Sequence, residues 1–353
     1  MNPEARQASL VIDSVAKAVA NWTVDRHAEK NAQLSKRYGQ SWRGDWVGHT
    51  LAQLYTLAQA VSVRSAELFA HSMRWTRDSF RLRGVEEADF LTNAMCMRDV
   101  LETELPPAIS RTALEFVDHA ARALRSAGAD TEIENEPNLA HRTVVLEYLE
   151  AVLAGDHRRA ESLILSCCDA GISVPEIYEN ILAPAQARLG WMWHQGEITV
   201  ADEHFGSATT QAIMSLLRPR FQRAASNGRT IVATSTPGDL HEIGLRMVSD
   251  LFEIDGWNVA YLGANTPIGD VLELLQRRHA ELLALSVSTA LTVRDAGDLI
   301  DAVHRNASLA KTKVLVGGPP FKSVEGLWRE LGADGCALSA TEAVKLGNNL
   351  LRS

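Results

Sequence analysis

Cysteine is scarce, with Cys96, Cys167, Cys168 and Cys336 the four in 353 residues. Their number and spacing exclude a disulfide framework and a C-x-x-C zinc or redox pair, and a reducing compartment is expected. No uninterrupted apolar run reaches the ~18 residues of a spanning helix, and the first twenty residues lack the apolar stretch of a signal segment. A soluble, cytoplasmic chain without a membrane partner follows as the expectation. Positive charge is also short, at 35 Lys and Arg against 44 Asp and Glu for a net −9. That balance argues against a chain-wide nucleic-acid footprint. What is present is an ordinary globular composition, 46% hydrophobic and 22% charged, with length for two or three domains.

The hydrophobic pattern divides the chain into zones. Residues 1–125 read as an all-α domain: Leu51, Leu54, Tyr55 and Ala58 recur at helical spacing, Phe90, Met97 and Leu101 follow, and Leu114, Val117 and Ala121 close it. Pro106-Pro107 breaks a helix, and Ser110 is a candidate N-cap for the next. Residues 126–140 read as an acidic linker. Residues 141–226 hold four helical segments with short links, predicted as a four-helix bundle. From 227 to 353 the grammar changes to five βα units whose continuous apolar strands predict a doubly wound, parallel, flavodoxin-like sheet.

In such a sheet, ligands sit at the carboxyl ends of the strands. The first strand, TIVATS, runs into Asp239-Leu240-His241-Glu242-Ile243-Gly244, with a helix expected from His241. The third runs into Ser286-Val287-Ser288, and the fourth into Gly317-Gly318. An imidazole at a strand end is a good axial ligand for a transition metal, and a carboxylate two residues away can hold its other nitrogen. Forty-one residues separate Gly244 from Ser286, and twenty-eight separate Ser288 from Gly317. This pattern resembles the cobalamin-binding domain family, D-x-H-x-x-G, S-x-L and G-G, with Ser288 where the family often has Leu. The resemblance implies His241 as the lower cobalt ligand, Asp239 as its orienter and Ser286 as a hydrogen-bonding aid. It also implies that Gly317 and Gly318 make room for the cofactor's nucleotide tail.

Upstream, Trp193 and His194 precede Glu203-His204 by a W-x9-E-H spacing, which resembles the adenosylcobalamin photoreceptors, the light-sensing carotenoid-gene repressors. The resemblance implies that Trp193 covers an adenosyl group, that Glu203 and His204 line the same pocket, and that His194 binds cobalt once light has cleaved the Co–C bond. A light-dependent homo-oligomer that is not an enzyme follows from it. The competing reading is a corrinoid methyl-carrier, in which the same bundle and sheet shuttle methyl groups between partner enzymes. A mutase fits less well, because the helical first 230 or so residues supply no β/α barrel.

The repressors' DNA-binding helix-turn-helix has no counterpart here, so direct DNA binding is not expected. The N-terminal helices are instead similar to a globin-like sensor domain, as in the photocobilins, which implies biliverdin or another tetrapyrrole as a second chromophore. A helical dimerisation domain with core tryptophans, or a haem-binding globin, are the alternatives.

Overall fold

The computed structural model describes residues 2–126 and 140–352; the expected linker lies almost wholly outside them. These residues form two compact units. The first comprises the described part of Met1–Asp130 with Ser288–Asp301 and Pro319–Gly332, and the second holds the rest.

The first unit is helical: α1 (Pro3–Lys30), α2 (Leu34–Tyr38), α3 (Trp42–Ser62), α4 (Ala66–Leu82), α5 (Glu87–Glu104) and α6 (Pro107–Ser126). Local signals set the ends. Asn2 caps α1 by accepting from the amides of Glu4 and Ala5, and Ser65 caps α4 through the Leu68 amide. Pro107 opens α6, where a missing N–H costs nothing; Ser110, expected as the cap, lies inside the first turn with its amide donated to the Pro106 carbonyl. The core joins Ile12, Val19 and Val24 to Leu54, Leu57 and Val61, with Phe69, Phe90 and Met97. Arg294 belongs to this unit and ties to α1 and α3, donating to Ser9, Asp13 and, through its amide, Gln59.

The second unit opens with the expected helices: α7 (Arg142–Leu153), α8 (His157–Asp169), α9 (Val174–Ile177), α10 (Ala183–Gln195) and α11 (Val200–Leu217). A π-helical turn, Tyr178–Leu182, joins α9 to α10. Pro184 supplies its cause, since it cannot donate to the Asn180 carbonyl four residues back. Thr199 and Asp202 form a reciprocal capping box at the start of α11.

The sheet follows, with β1 (Thr230–Ser235), β2 (Asn258–Gly263), β3 (Leu282–Ser286), β4 (Lys313–Gly317) and β5 (Gly335–Ala337), all parallel in the order β2-β1-β3-β4-β5. That is the flavodoxin order. Alternating with the strands are α12 (Ile243–Ile254), α13 (Ile268–Arg278), α14 (Val293–Arg305), α15 (Pro319–Ser323), α16 (Leu327–Glu330) and α17 (Ala340–Leu350). Leu245 and Phe252 of α12 and Ala343 of α17 pack on Ile231, Ala233, Leu282, Ala284 and Leu315 of the sheet.

α12 also packs against the preceding helices, and this positions the site. Its Met247 and Leu251 join Tyr148, Tyr178, Ile181, Leu189, Ile213 and Leu217 in one core. Within it the Tyr178 hydroxyl donates to Asp250 at 2.9 Å, and Arg218 pairs with both Asp250 and Glu253. Glu179 accepts from the amide and hydroxyl of Thr341, each at 2.7 Å, at the first turn of α17. No helix of the described residues is long and apolar enough to cross a membrane.

Candidate corrinoid site

The three motif-bearing strands are neighbours, and their ends are level. Ser235 of β1 pairs with Ser286 of β3, which pairs with Gly317 of β4, which pairs with Ala337 of β5. At a strand spacing of about 4.8 Å, residues far apart in sequence therefore share one edge.

The loop after β1 is pinned on both sides. Thr236 donates its amide and hydroxyl to the Ser286 carbonyl at 3.0 and 2.9 Å. Ser235 donates to the Asp239 carbonyl, and the Gly238 amide donates to Asn265. Asp239, with its carboxylate fully buried, accepts from the His241 amide at 3.0 Å and faces its Nδ1 at 2.9 Å. These two bonds hold His241 outside the helix expected to begin there; α12 starts at Ile243. The carboxylate raises the His241 pKa above the ordinary imidazole value, Asp239 being the main cause and Glu203 a further one. With Nδ1–H given to Asp239, Nε2 carries the lone pair on a ring that is 70% exposed.

Glu203 comes from the first turn of α11. It accepts from Ser207 at 2.7 Å and pairs with His204 Nδ1 at 2.8 Å. Trp193 and His194 lie on the last turn of α10. Trp193 is half-buried, whereas His194 is buried, its ring 5.6 Å from that of Trp191.

The glycines divide by cause. A Cβ on Gly318, at φ +123°, would lie 1.9 Å from the Val287 carbonyl oxygen, and one on Gly317 would lie 2.8 Å from that of Ala337. The close approach of the chain's own backbone is therefore a reason for glycine at both positions. Gly244 is the reverse: a Cβ there meets no protein atom within 4 Å, so the fold makes no demand for glycine. Ser286 and Ser288 are both partly buried.

Sequence reasoning missed several residues at this edge. Leu240 is 73% exposed between Asp239 and His241, and Leu338, just past β5, is 58% exposed. Two bare leucines at the carboxyl ends of strands suit a large, partly apolar ligand. Only the burial pattern reveals them, since leucine is common everywhere.

A bulky cofactor with an open axial position on a transition metal fits this donor set: an exposed imidazole nitrogen, its tautomer fixed by a buried carboxylate, at a level edge with an apolar rim. Residues 229–346 match the B12 binding domain model, and residues 145–218 match a second B12 binding domain model. Both segments belong to the B12-binding family. The chain is 26% identical over 210 residues to a corrinoid protein of Desulfitobacterium hafniense, covering 58% of this chain and 96% of that one. It is 25% identical over 221 residues to monomethylamine corrinoid protein 1 of Methanosarcina mazei, covering 61% of this chain and all of the relative. Among solved structures, the Methanosarcina barkeri monomethylamine corrinoid protein aligns with a TM-score of 0.54 at 20% identity, over 60% of this chain and 99% of that one. At that identity the likeness is one of fold.

These relatives overturn the light-sensing expectation. They are corrinoid proteins, two of them named for monomethylamine, and none of them is a photoreceptor. The light-dependent assembly expected with it has no support in these relatives, and neither an adenosyl ligand nor biliverdin gains any from them.

Proposed function

We propose that this chain is a corrinoid-carrying subunit of a methyl-transfer system, itself not the catalyst, which presents a methyl group to partner methyltransferases. The carrying observation is His241, with Nδ1 on buried Asp239 and Nε2 on an exposed face, in a module whose relatives it covers end to end. When bound, the corrinoid supplies reversible capture of a methyl group at cobalt. His241 would hold the metal, Asp239 would keep its imidazole in the ligating tautomer, and Gly244 would leave space beside it for the corrinoid. Ser286 and Ser288 stand beside the path of the nucleotide tail, and Gly317 and Gly318 let β4 close on β3. On the cap, Trp193 shields the upper face, with Glu203 and His204 at its rim and His194 buried in support behind it. The N-terminal helices are additional to the module the relatives share.

The test loads the chain with methylcobalamin carrying carbon-14 in its methyl group and adds candidate methyltransferases with an acceptor. Label that reaches the acceptor only when both proteins are present supports the carrier reading. Label that stays on the chain with every partner, together with a change of assembly on illumination, overturns it.

A further inference from the structure

Glu242, the residue after His241, sits at the junction of three elements. Its Oε1 accepts from Gln211 Nε2 of α11 at 3.3 Å, and its Oε2 accepts from the Tyr261 hydroxyl of β2 at 3.0 Å. Its backbone carbonyl accepts the Arg246 amide at 2.8 Å, closing the first turn of α12. Gly263 makes the space: at φ +73°, a Cβ there would come within 2.7 Å of Oε2. Burial and the neighbouring carboxylate push the Tyr261 phenol well above its usual pKa, so it stays protonated and donates.

The contacts extend along α11 in helical register. Glu203, Ser207, Gln211 and Ser215 recur every four residues on one stripe. Gln211 binds Glu242, and the Gln211 carbonyl and Ser215 hydroxyl accept from Arg246 at 3.4 and 2.8 Å. Two successive turns of α11, at Gln211 and Ser215, are therefore fastened to the segment that follows His241. Asp239 orients the ring of His241, but it does not fix where the loop stands relative to the cap.

We infer that Glu242 is a positioning residue that locks the His241 loop between the cap helix and the edge strand, and so sets how the imidazole meets cobalt. This rests on the corrinoid reading above. Its two arms differ: Tyr261 anchors the loop to the sheet, and Gln211 reports the place of the cap. A cap helix that shifts along α12 breaks the Gln211 arm first, loosening the lower ligand while leaving Asp239 in place.

The test uses full-length protein labelled with nitrogen-15 histidine and loaded with cob(II)alamin, read by electron paramagnetic resonance. An axial nitrogen-15 splits each cobalt line into a doublet, whereas the cofactor's own benzimidazole gives a triplet. The unaltered chain gives the doublet, and His241→Ala abolishes it. Glu242→Ala should lower the doublet fraction by at least about half and weaken binding about tenfold, the scale of outer-sphere partners. Glu242→Gln, which keeps a carbonyl for Tyr261, should restore most of the signal. Tyr261→Phe and Gln211→Ala should each give a partial loss, and they carry the test if Glu242→Ala does not fold. A full doublet with unchanged affinity in Glu242→Ala, or in both single-arm variants, overturns the positioning role alone. A triplet in the unaltered chain overturns His241 ligation, and the inference with it.

Discussion

Gly244 and Gly318 are both glycines of the corrinoid motif, and substitution by alanine should separate their jobs. At Gly318 the added methyl lies 1.9 Å from the Val287 carbonyl oxygen on a backbone with φ +123°. Strained backbone costs about 1–3 kcal/mol, and an overlap that only a backbone shift can relieve costs a similar amount. The sum, about 2–6 kcal/mol, is a large share of a domain stability of roughly 5–15 kcal/mol. At Gly244, in the first turn of α12, the methyl meets no protein atom, and alanine in a helix is favoured by up to ~1 kcal/mol. Gly318→Ala should therefore shift the urea midpoint of the second unit sharply downward. Gly244→Ala should leave it unchanged or raised, yet weaken hydroxocobalamin binding, because the only occupant that needs the space is the ligand. Urea unfolding followed by far-ultraviolet circular dichroism gives the first quantity, and titration of the cobalamin absorption gives the second. Normal stability in Gly318→Ala would refute the close approach of β4 and β3. Normal cobalamin affinity in Gly244→Ala would refute the open lower face.

Asp239→Ala should reduce corrinoid affinity 10- to 100-fold by freeing the ring of His241, measured by the same titration, with little loss from Asp239→Asn if the amide oxygen still accepts. Asp250 is buried and is met by both Tyr178 and Arg218, so Asp250→Ala should cost about 3 kcal/mol in urea unfolding, and Tyr178→Phe about 1 kcal/mol. In the first unit, burial pushes the His49 imidazole down to about 3 and lowers His27 as well. The unfolded chain then takes up protons first on acidification. Stability present above the unfolded pKa of about 6.5 is lost as pH falls, at ~1.4 kcal/mol per unit for His49. Thermal melts from pH 7 to 5 should show that loss, and His49→Phe should flatten it; a wild-type profile in the variant would exclude His49 as its source.

The C-terminal fold was legible because period and punctuation agree there. The five strands stand where the β-rich runs put them, and β1 and β2 match residue for residue. The errors were local. His241 was placed in a helix because periodicity cannot register a side chain that captures its own backbone amide, as Asp239 does. Why Gly317 and Gly318 must be glycine is not legible, because the carbonyls of Ala337 in β5 and Val287 just past β3 come from elsewhere in the sequence. Glu242 went unnoticed for the same reason, since Gln211 and Tyr261 lie 31 and 19 residues away.

The larger error, from carrier to light sensor, has a physical origin as well. The lower half of a corrinoid site is constrained by chemistry: one imidazole, one carboxylate to orient it, and backbone close enough to leave space. Such constraints appear as residue types at fixed intervals and can be read. The upper half is constrained by motion and by what must reach cobalt, and a tryptophan near a helix end serves equally to shield a stable group and to cover a reactive one. The spacing of Trp193 and Glu203 therefore carries no information about a trigger. In this chain the trigger is better sought in how α11 is fastened to α12, through Gln211, Ser215, Glu242 and Arg246. These exposed or half-buried bonds are individually weak, each worth about 1 kcal/mol. The buried anchor at Tyr178, Asp250 and Arg218 lies farther along α12, at its second and third turns. The preceding helices are thus held firmly at that end of α12 and more lightly beside His241, the asymmetry that the proposed carrier function would use.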